Sequence, residues 1–157
     1  AGVKFVGVRT AREMFDAVKK SLSGADIFIS VAAVSDYRVA NASAQKIKKG
    51  ARPGMTLQLT ENPDILAHVA GMEKPPFCVG FAAETEKLAA HAKEKRRRKG
   101  IPLLAANLAQ EALGADDNAL TLFDDAGAHP LGSGPKLEQA RKLVAHIAAM
   151  LAKKNKR

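Results

Sequence analysis

Apolar residues return along this chain with two different periods. Val3 to Val8, Asp26 to Ala33, Phe77 to Ala83 and Ile101 to Ala106 are short apolar runs bounded by turn signals, and they predict strands. The run from Asp26 to Ala33 is polar only at Asp26 and Ser30. That is the pattern of a strand covered on both faces, as in a parallel sheet. Met55 to Thr60 sets Met55, Leu57 and Leu59 between polar neighbours, which predicts a half-exposed strand. Elsewhere the period is helical. Met14, Ala17, Val18 and Leu22 share a stripe that Thr10 and Glu13 open as a capping box and Gly24 closes. Ile65, Leu66 and Val69 form a second stripe ending near Gly71, with Asn62 as cap, Pro63 at the first position and Asp64 at the positive end. A third helix runs from Glu86 to Lys99, capped by Thr85 and stopped by Gly100. A last one follows Gly134-Pro135 and carries Leu137, Leu143, Val144, Ile147 and Leu151.

Between these elements lie Asn41 to Pro53, a loop rich in Ala, Lys and Gly that predicts a flap, and Gln110 to Asn118, a second loop. Ala119 to Phe123 and Ala128 to Leu131 flank Asp124-Asp125-Ala126-Gly127 and read as a hairpin. The order is then β-α-β-β-α-β-α-β-β-β-α. Strands alternating with helices predict an α/β fold: a doubly wound, mostly parallel, Rossmann-like sheet with an antiparallel edge hairpin. No repeat or linker divides the chain, so 1–157 reads as one domain. In such sheets ligands bind beyond the carboxyl ends of the strands. The stretch just past the second strand, Ala32-Ala33-Val34-Ser35-Asp36-Tyr37-Arg38, is therefore the first place to look for chemistry. The glycine-rich phosphate loops usual in this architecture, Gly-x-Gly-x-x-Gly and Gly-x-x-x-x-Gly-Lys-Ser/Thr, are absent from the sequence. The chain also opens abruptly on a short strand, as if a segment preceded it.

Composition narrows this picture. The formal charge of +9 points to an anionic partner, whether nucleic acid, an anionic membrane or a small polyanion. Much of it sits at Lys46 to Lys49, at Lys93 to Lys99 and in the tail from Lys153 to Arg157. Lys46, Lys48 and Lys49 are either a grip for a polyphosphate or a solvated loop. The Asn62-Pro63-Asp64 helix start is either a cap or an anion site. Lys95 and Lys99 lie four apart on one helix face. The basic run they bracket is a phosphate clamp, a nucleic-acid footprint or a helix end matched to its macrodipole. The lack of aromatics near it weakens the nucleic-acid reading. The single cysteine, Cys78, lies in an apolar run and is expected to be buried and inert, and no intramolecular disulfide is possible. No stretch approaches the ~20 apolar residues of a membrane helix, and a cytoplasmic location is expected. Asp36, Glu84, Asp116 and Asp117 are candidate carboxylates without dedicated metal spacing. The four histidines are scattered, so no zinc signature is seen.

Taken in order, Ala32 to Arg38, Lys46-Ile47-Lys48-Lys49, Asn62-Pro63-Asp64-Ile65-Leu66, Val79-Gly80-Phe81-Ala82-Ala83-Glu84-Thr85, Lys95 to Gly100, Ala106-Asn107 and Asp117-Asn118-Ala119-Leu120 resemble the bacterial phosphopantothenoylcysteine synthetases. These form the synthetase half of a bifunctional coenzyme A biosynthesis flavoprotein. The resemblance implies a CTP-dependent, magnesium-assisted ligase that joins 4′-phosphopantothenate to cysteine through an acyl-cytidylate. It implies a homodimer with the flap near the partner subunit. It assigns Ala32, Asp36, Lys46, Pro63, Asp64, Ile65, Leu66, Phe81, Lys95 and Lys99 to the nucleotide, with Lys46 also catalytic. Asp36 would lie at the ribose or its metal shell, and Phe81 would line the cytidine pocket. Ser35 stands where the family more often has alanine. The family's N-terminal segment, with its glycine-rich loop and an asparagine that handles the acyl-cytidylate, has no counterpart among these residues. Neither has the flavin decarboxylase half, so no FMN is expected in this chain. A noncatalytic nucleic-acid-binding module is the competing expectation.

Overall fold

The computed structural model describes residues 2–49, 54–108, 110 and 116–154. In chain order the elements are α1 (Ala11–Ser21), β1 (Ile27–Ser30), β2 (Tyr37–Val39), β3 (Leu59–Glu61), α2 (Ile65–Ala70), β4 (Phe77–Glu84), α3 (Leu88–Lys99), β5 (Leu103–Leu108), β6 (Asp117–Phe123), β7 (Ala128–Pro135) and α4 (Lys136–Lys154). The chain folds as two compact units. One comprises Ala1–Ser21 and Ala33–Ile65, the other Leu22–Ala32 and Leu66–Arg157.

The second unit holds a five-stranded sheet in the order β1-β4-β5-β6-β7. β1, β4 and β5 run parallel, while β6 and β7 are antiparallel and close one edge as the expected hairpin. Successive residues of β4 point to opposite faces, and both faces are covered. On one side Phe77, Val79, Leu103, Ala105 and Leu122 pack with Leu143 and Ile147 of α4. Each of these except Ala105 contributes about 1.5–3 kcal/mol on burial. On the other side Gly80 keeps the sheet low. A Cβ there would lie 2.8 Å from Ile101, 2.9 Å from Leu104 and 2.9 Å from Leu66 of α2. Gly80 is thus the notch that lets α2 close on the sheet. α4 buries Gln139, Leu143 and Ile147, a period of four, while Leu137 and Val144, expected on the packing stripe, face solvent. Gly100 ends α3 in the left-handed conformation (φ 63°), and its N–H and that of Ile101 donate to the last carbonyls.

β1 departs from expectation. It pairs with β4 alone among the described strands and lies at a sheet edge, with Ile27 and Ile29 each 40% exposed. An apolar run can be covered on both faces, but it does not choose its own neighbours. Register explains why the strand is short: Ser30 pairs with Gly80, and β4 continues for four more residues beside β5.

In the first unit the capping box of α1 forms as expected. The Glu13 N–H donates to Thr10 Oγ1 (3.1 Å), and Glu13 Oε2 accepts from the Arg9 and Thr10 N–H groups (2.7 and 3.3 Å). The strand expected over Val3 to Val8 does not form, and Val3 and Phe5 are about nine-tenths exposed. Alternation supplies an apolar face, but a strand also needs a ladder partner. β2 was not expected at all. It pairs antiparallel with β3, which takes only Leu59 and Thr60 from the strand expected over Met55 to Thr60 and adds Glu61.

Candidate active site

The turn into β2 is held by one side chain. Asn62 Nδ2 donates to the Ser35 carbonyl (2.8 Å), its backbone N–H donates to the Asp36 carbonyl (2.8 Å), and its Oδ1 accepts from Arg38 Nη1 (3.3 Å). The Arg38 guanidinium also donates to the Glu61 carbonyl, and Ser35 Oγ donates to the Tyr37 carbonyl (2.9 Å). Asn62 is therefore a strut across the β2–β3 ladder and not a helix cap, and α2 starts three residues later. Asp36, held through its carbonyl, is exposed. Asn62 also borders a cleft of about 520 Å³, lined with it by Arg12, Phe15, Asp16, Arg38, Glu61 and Pro63. Lys46, Lys48 and Lys49 lie exposed in the irregular segment 41–49, and the rest of the expected flap falls outside the described residues.

In the second unit, chemistry gathers at the carboxyl end of β4. Glu84 is the last residue of that strand. Its carboxylate faces His91 Nδ1 (3.4 Å) and Lys95 Nζ (3.9 Å) of α3. Together with Glu94 and Arg98 these groups line an open cleft of about 260 Å³. His91, Lys95 and Lys99 are spaced four apart, so they form one face of α3. Thr85 does not cap this helix. The N-cap is Lys87, with φ 48° and no side-chain cap bond. It is the one non-glycine residue with positive φ among those described, and such strain gathers at functional loops. Phe81 sits in the carboxyl half of β4, half-buried against the core. Ala32 is exposed just past β1.

Over residues 1–151 the sequence matches the family described as DNA/pantothenate metabolism flavoprotein, C-terminal domain. The chain belongs to that family. Among relatives of this flavoprotein C-terminal domain, the coenzyme A biosynthesis bifunctional protein CoaBC of Escherichia coli strain K12 is 42% identical over 161 residues. The match covers 99% of this chain and 40% of that protein. CoaBC of Vibrio cholerae serotype O1 is 41% identical over 152 residues, covering 92% of this chain and 38% of that protein. The chain thus spans about two-fifths of the length of these curated relatives. A crystal structure of the C-terminal domain of CoaBC superposes with a TM-score of 0.76 at 28% identity, over 94% of this chain and 66% of that one.

Within this flavoprotein C-terminal domain the candidate residues divide by what their side chains already do. Ile65 is buried, and Leu66 packs toward Gly80, so both side chains serve the core. Asp36, Lys46 and Asp64 are exposed; Lys95 and Lys99 are half-exposed. Arg96, at the centre of the basic run, is committed elsewhere. It donates to the Ile101 and Pro102 carbonyls (3.3 Å each) and to Asp125 Oδ1 (2.6 Å). Two features escaped the sequence reading. His91 could have been found, since it stands four before Lys95. The convergence of Asp124, His129 and His146 could not, since no local spacing marks it. Partial burial pushes the Asp124 carboxyl up, but hydrogen bonds from His129, the Ala126 N–H and His146, with the His129 charge, outweigh it and hold the group below the usual carboxylate range.

Proposed function

We propose that this domain carries a phosphopantothenate–cysteine ligase activity that uses CTP. The observation that carries the reading is its identity to CoaBC through nearly the whole chain. The carboxylate of 4′-phosphopantothenate attacks the α-phosphate of CTP, releasing pyrophosphate and forming an acyl-cytidylate. The amine of cysteine then attacks the acyl carbon and expels cytidine monophosphate. The physical difficulty is that a triphosphate and a phosphorylated carboxylate repel one another, so fixed positive charge must offset them in the attack geometry. The half-exposed Lys95 and Lys99 of α3, and the exposed Lys46, supply charge of that kind. Phe81, half-buried near the end of β4, offers an apolar wall to a pyrimidine, and Ala32 and Asp36 fall to the nucleotide in the same reading. At Pro63 to Leu66 the same reading turns to the main chain, the exposed Asp64 and Pro63, which lines the cleft beside Asn62. No group of three carboxylates converges among the described residues. The donor set therefore fits a magnesium ion carried mainly by phosphate oxygens, whose charge it would lower, with Asp36 the carboxylate that the same reading assigns to its shell. A homodimer belongs to the same reading. A nucleic-acid module is disfavoured because Arg96, central to the basic run, is already bound within the fold.

The test joins the chain to the family's N-terminal synthetase segment and follows pyrophosphate release with CTP, Mg²⁺, 4′-phosphopantothenate and cysteine. Release that requires CTP is expected, along with a melting temperature raised by CTP·Mg²⁺ more than by ATP·Mg²⁺. Lys46→Gln should still bind CTP while turnover drops by about 10²–10³, since the charge acts chiefly as negative charge shifts in the transition state. Lys49→Gln should matter less. Absence of both release and thermal shift would overturn the ligase reading. Near-parental turnover in both variants would make 46–49 a solvated loop.

A further inference from the structure

At the opposite, amino-terminal end of the parallel strands, three elements bring one carboxylate and two imidazoles together. Asp124 follows β6, His129 lies in β7 paired with Leu122, and His146 projects from α4. One ligand atom from each lies within 4.8 Å of the other two. We propose that Asp124, His129 and His146 form a binding site for a divalent transition metal of the Zn²⁺ class.

The ligand chemistry selects the ion. Two imidazoles with one carboxylate suit zinc and its neighbours, whereas magnesium and calcium call for oxygen ligands. The carboxylate is held in place before any ion arrives. Asp124 Oδ1 accepts from the Ala126 N–H (2.8 Å), the Gly127 N–H (3.1 Å) and His129 Nε2 (2.9 Å). Among the described residues, Oδ2 is met only by His146 Nε2, at 3.3 Å. The turn itself is closed by the Asp124 N–H donating to the Gly127 carbonyl (3.0 Å), with Gly127 at φ 133°. Backbone donors that orient a ligating carboxylate are the usual outer support of a metal site. The Asp124 side chain is only 8% exposed, yet no lysine or arginine pairs with it among the described residues. A nearly buried carboxylate calls for a paired group or a metal ion, and only the two imidazoles pair with it among the described residues. The two rings stand 4.9 Å apart between centroids, inclined at 48°. Zinc bonded at about 2.0–2.1 Å to each group sets ligand atoms roughly 3.3–4 Å apart. His146 Nε2 and Oδ2 already stand 3.3 Å apart, and the 2.9 Å between His129 Nε2 and Oδ1 need open only slightly to admit the ion. The side chains of His129 and His146 are 35% and 23% exposed. That leaves a path from solvent and room for water as a fourth ligand. The bound ion would tie α4 to the β6–β7 hairpin. The cluster is at the far end of the sheet from Glu84, so the metal site stands apart from the ligase reading.

The test is calorimetric titration of the chelator-stripped protein with ZnCl₂ alone, repeated with CoCl₂ in an absorption spectrometer. Saturation near one ion per chain is expected, with cobalt bands in the visible that report imidazole ligation. His129→Gln and His146→Gln should each weaken zinc binding by at least about tenfold, while His68→Gln leaves it unchanged. Absence of heat and of cobalt bands in the parent would overturn the proposal and leave the cluster a hydrogen-bonded charge network. Zinc affinity that survives in the His129→Gln/His146→Gln double variant, checked for folding by circular dichroism, would overturn it too. Should those variants fail to fold, the parent's cobalt spectrum decides: imidazole-type bands support the site, and a featureless spectrum overturns it.

Discussion

Cys78 shows how much one side chain's surroundings alter its chemistry. It is 1% exposed in β4, its thiol donates to the Pro76 carbonyl (3.4 Å), and burial pushes its pKa above the ordinary thiol value. Since only the thiolate reacts, alkylation should be slow in the native protein and fast in denaturant, as a labelling time course would show. The sign of the pH effect follows. The folded state keeps the thiol proton to higher pH than the unfolded state does. Below the ordinary thiol range both states are protonated and Cys78 adds no pH dependence. As pH rises through that range the unfolded chain ionises first, so stability falls. Cys78→Ala should flatten that part of the stability profile. An unchanged slope, or rapid native labelling, would mean that the thiol is not enclosed. Asp124 is the opposite case at this scale. Its turn supplies two N–H donors, from Ala126 and Gly127, but its imidazole partners lie on β7 and α4, and no motif announces them.

Among the elements, those governed by neighbours three or four positions away follow the sequence closely. Thr10 and Glu13 form their box, and Gly100 stops α3 in a left-handed conformation that glycine adopts without the Cβ penalty of other residues. The β2–β3 ladder is different. It is three residues long on each side, and Asn62 holds both ends of its turn together. An isolated two-stranded ladder is marginal, so the strut should matter more than its number of bonds suggests. Asn62→Ala removes the bond to the Ser35 carbonyl and one partner of Arg38. The expected cost is about 1–2 kcal/mol. Local opening should then speed amide exchange at Ala40, whose N–H donates to the Gln58 carbonyl, by roughly 5–30-fold. The protected amides of β4 and β5 should not change. Unaltered exchange at Ala40 would show that the ladder stands without the strut.

For the whole molecule, Gly80 concentrates the packing problem of the second unit. An alanine there meets Ile101, Leu104 and Leu66 at once. Alanine also stiffens the unfolded chain, a gain of about 0.4–1 kcal/mol, but overpacking typically costs about 1–3 kcal/mol. Gly80→Ala should therefore lower the denaturation midpoint with an unchanged m value. No loss of midpoint would mean that the three side-chain tips yield freely. The α/β class, the parallel run of β4 and β5, the β6–β7 hairpin and the cation face of α3 were all legible in the chain, because apolar period, turn residues and charge spacing act over a few positions. The tertiary structure alone decided that β1 lies at an edge, that Val3 to Val8 forms no strand, and that Tyr37–Val39 does. It also turned Asn62 from a cap into a strut, and it tied Arg96 of the basic run to the Ile101 and Pro102 carbonyls and Asp125. Asp124, His129 and His146 met only through it. Each of these depends on a hydrogen-bond or packing partner distant in sequence, and a local pattern specifies what a segment can bury or bond, not which segment will supply the other half.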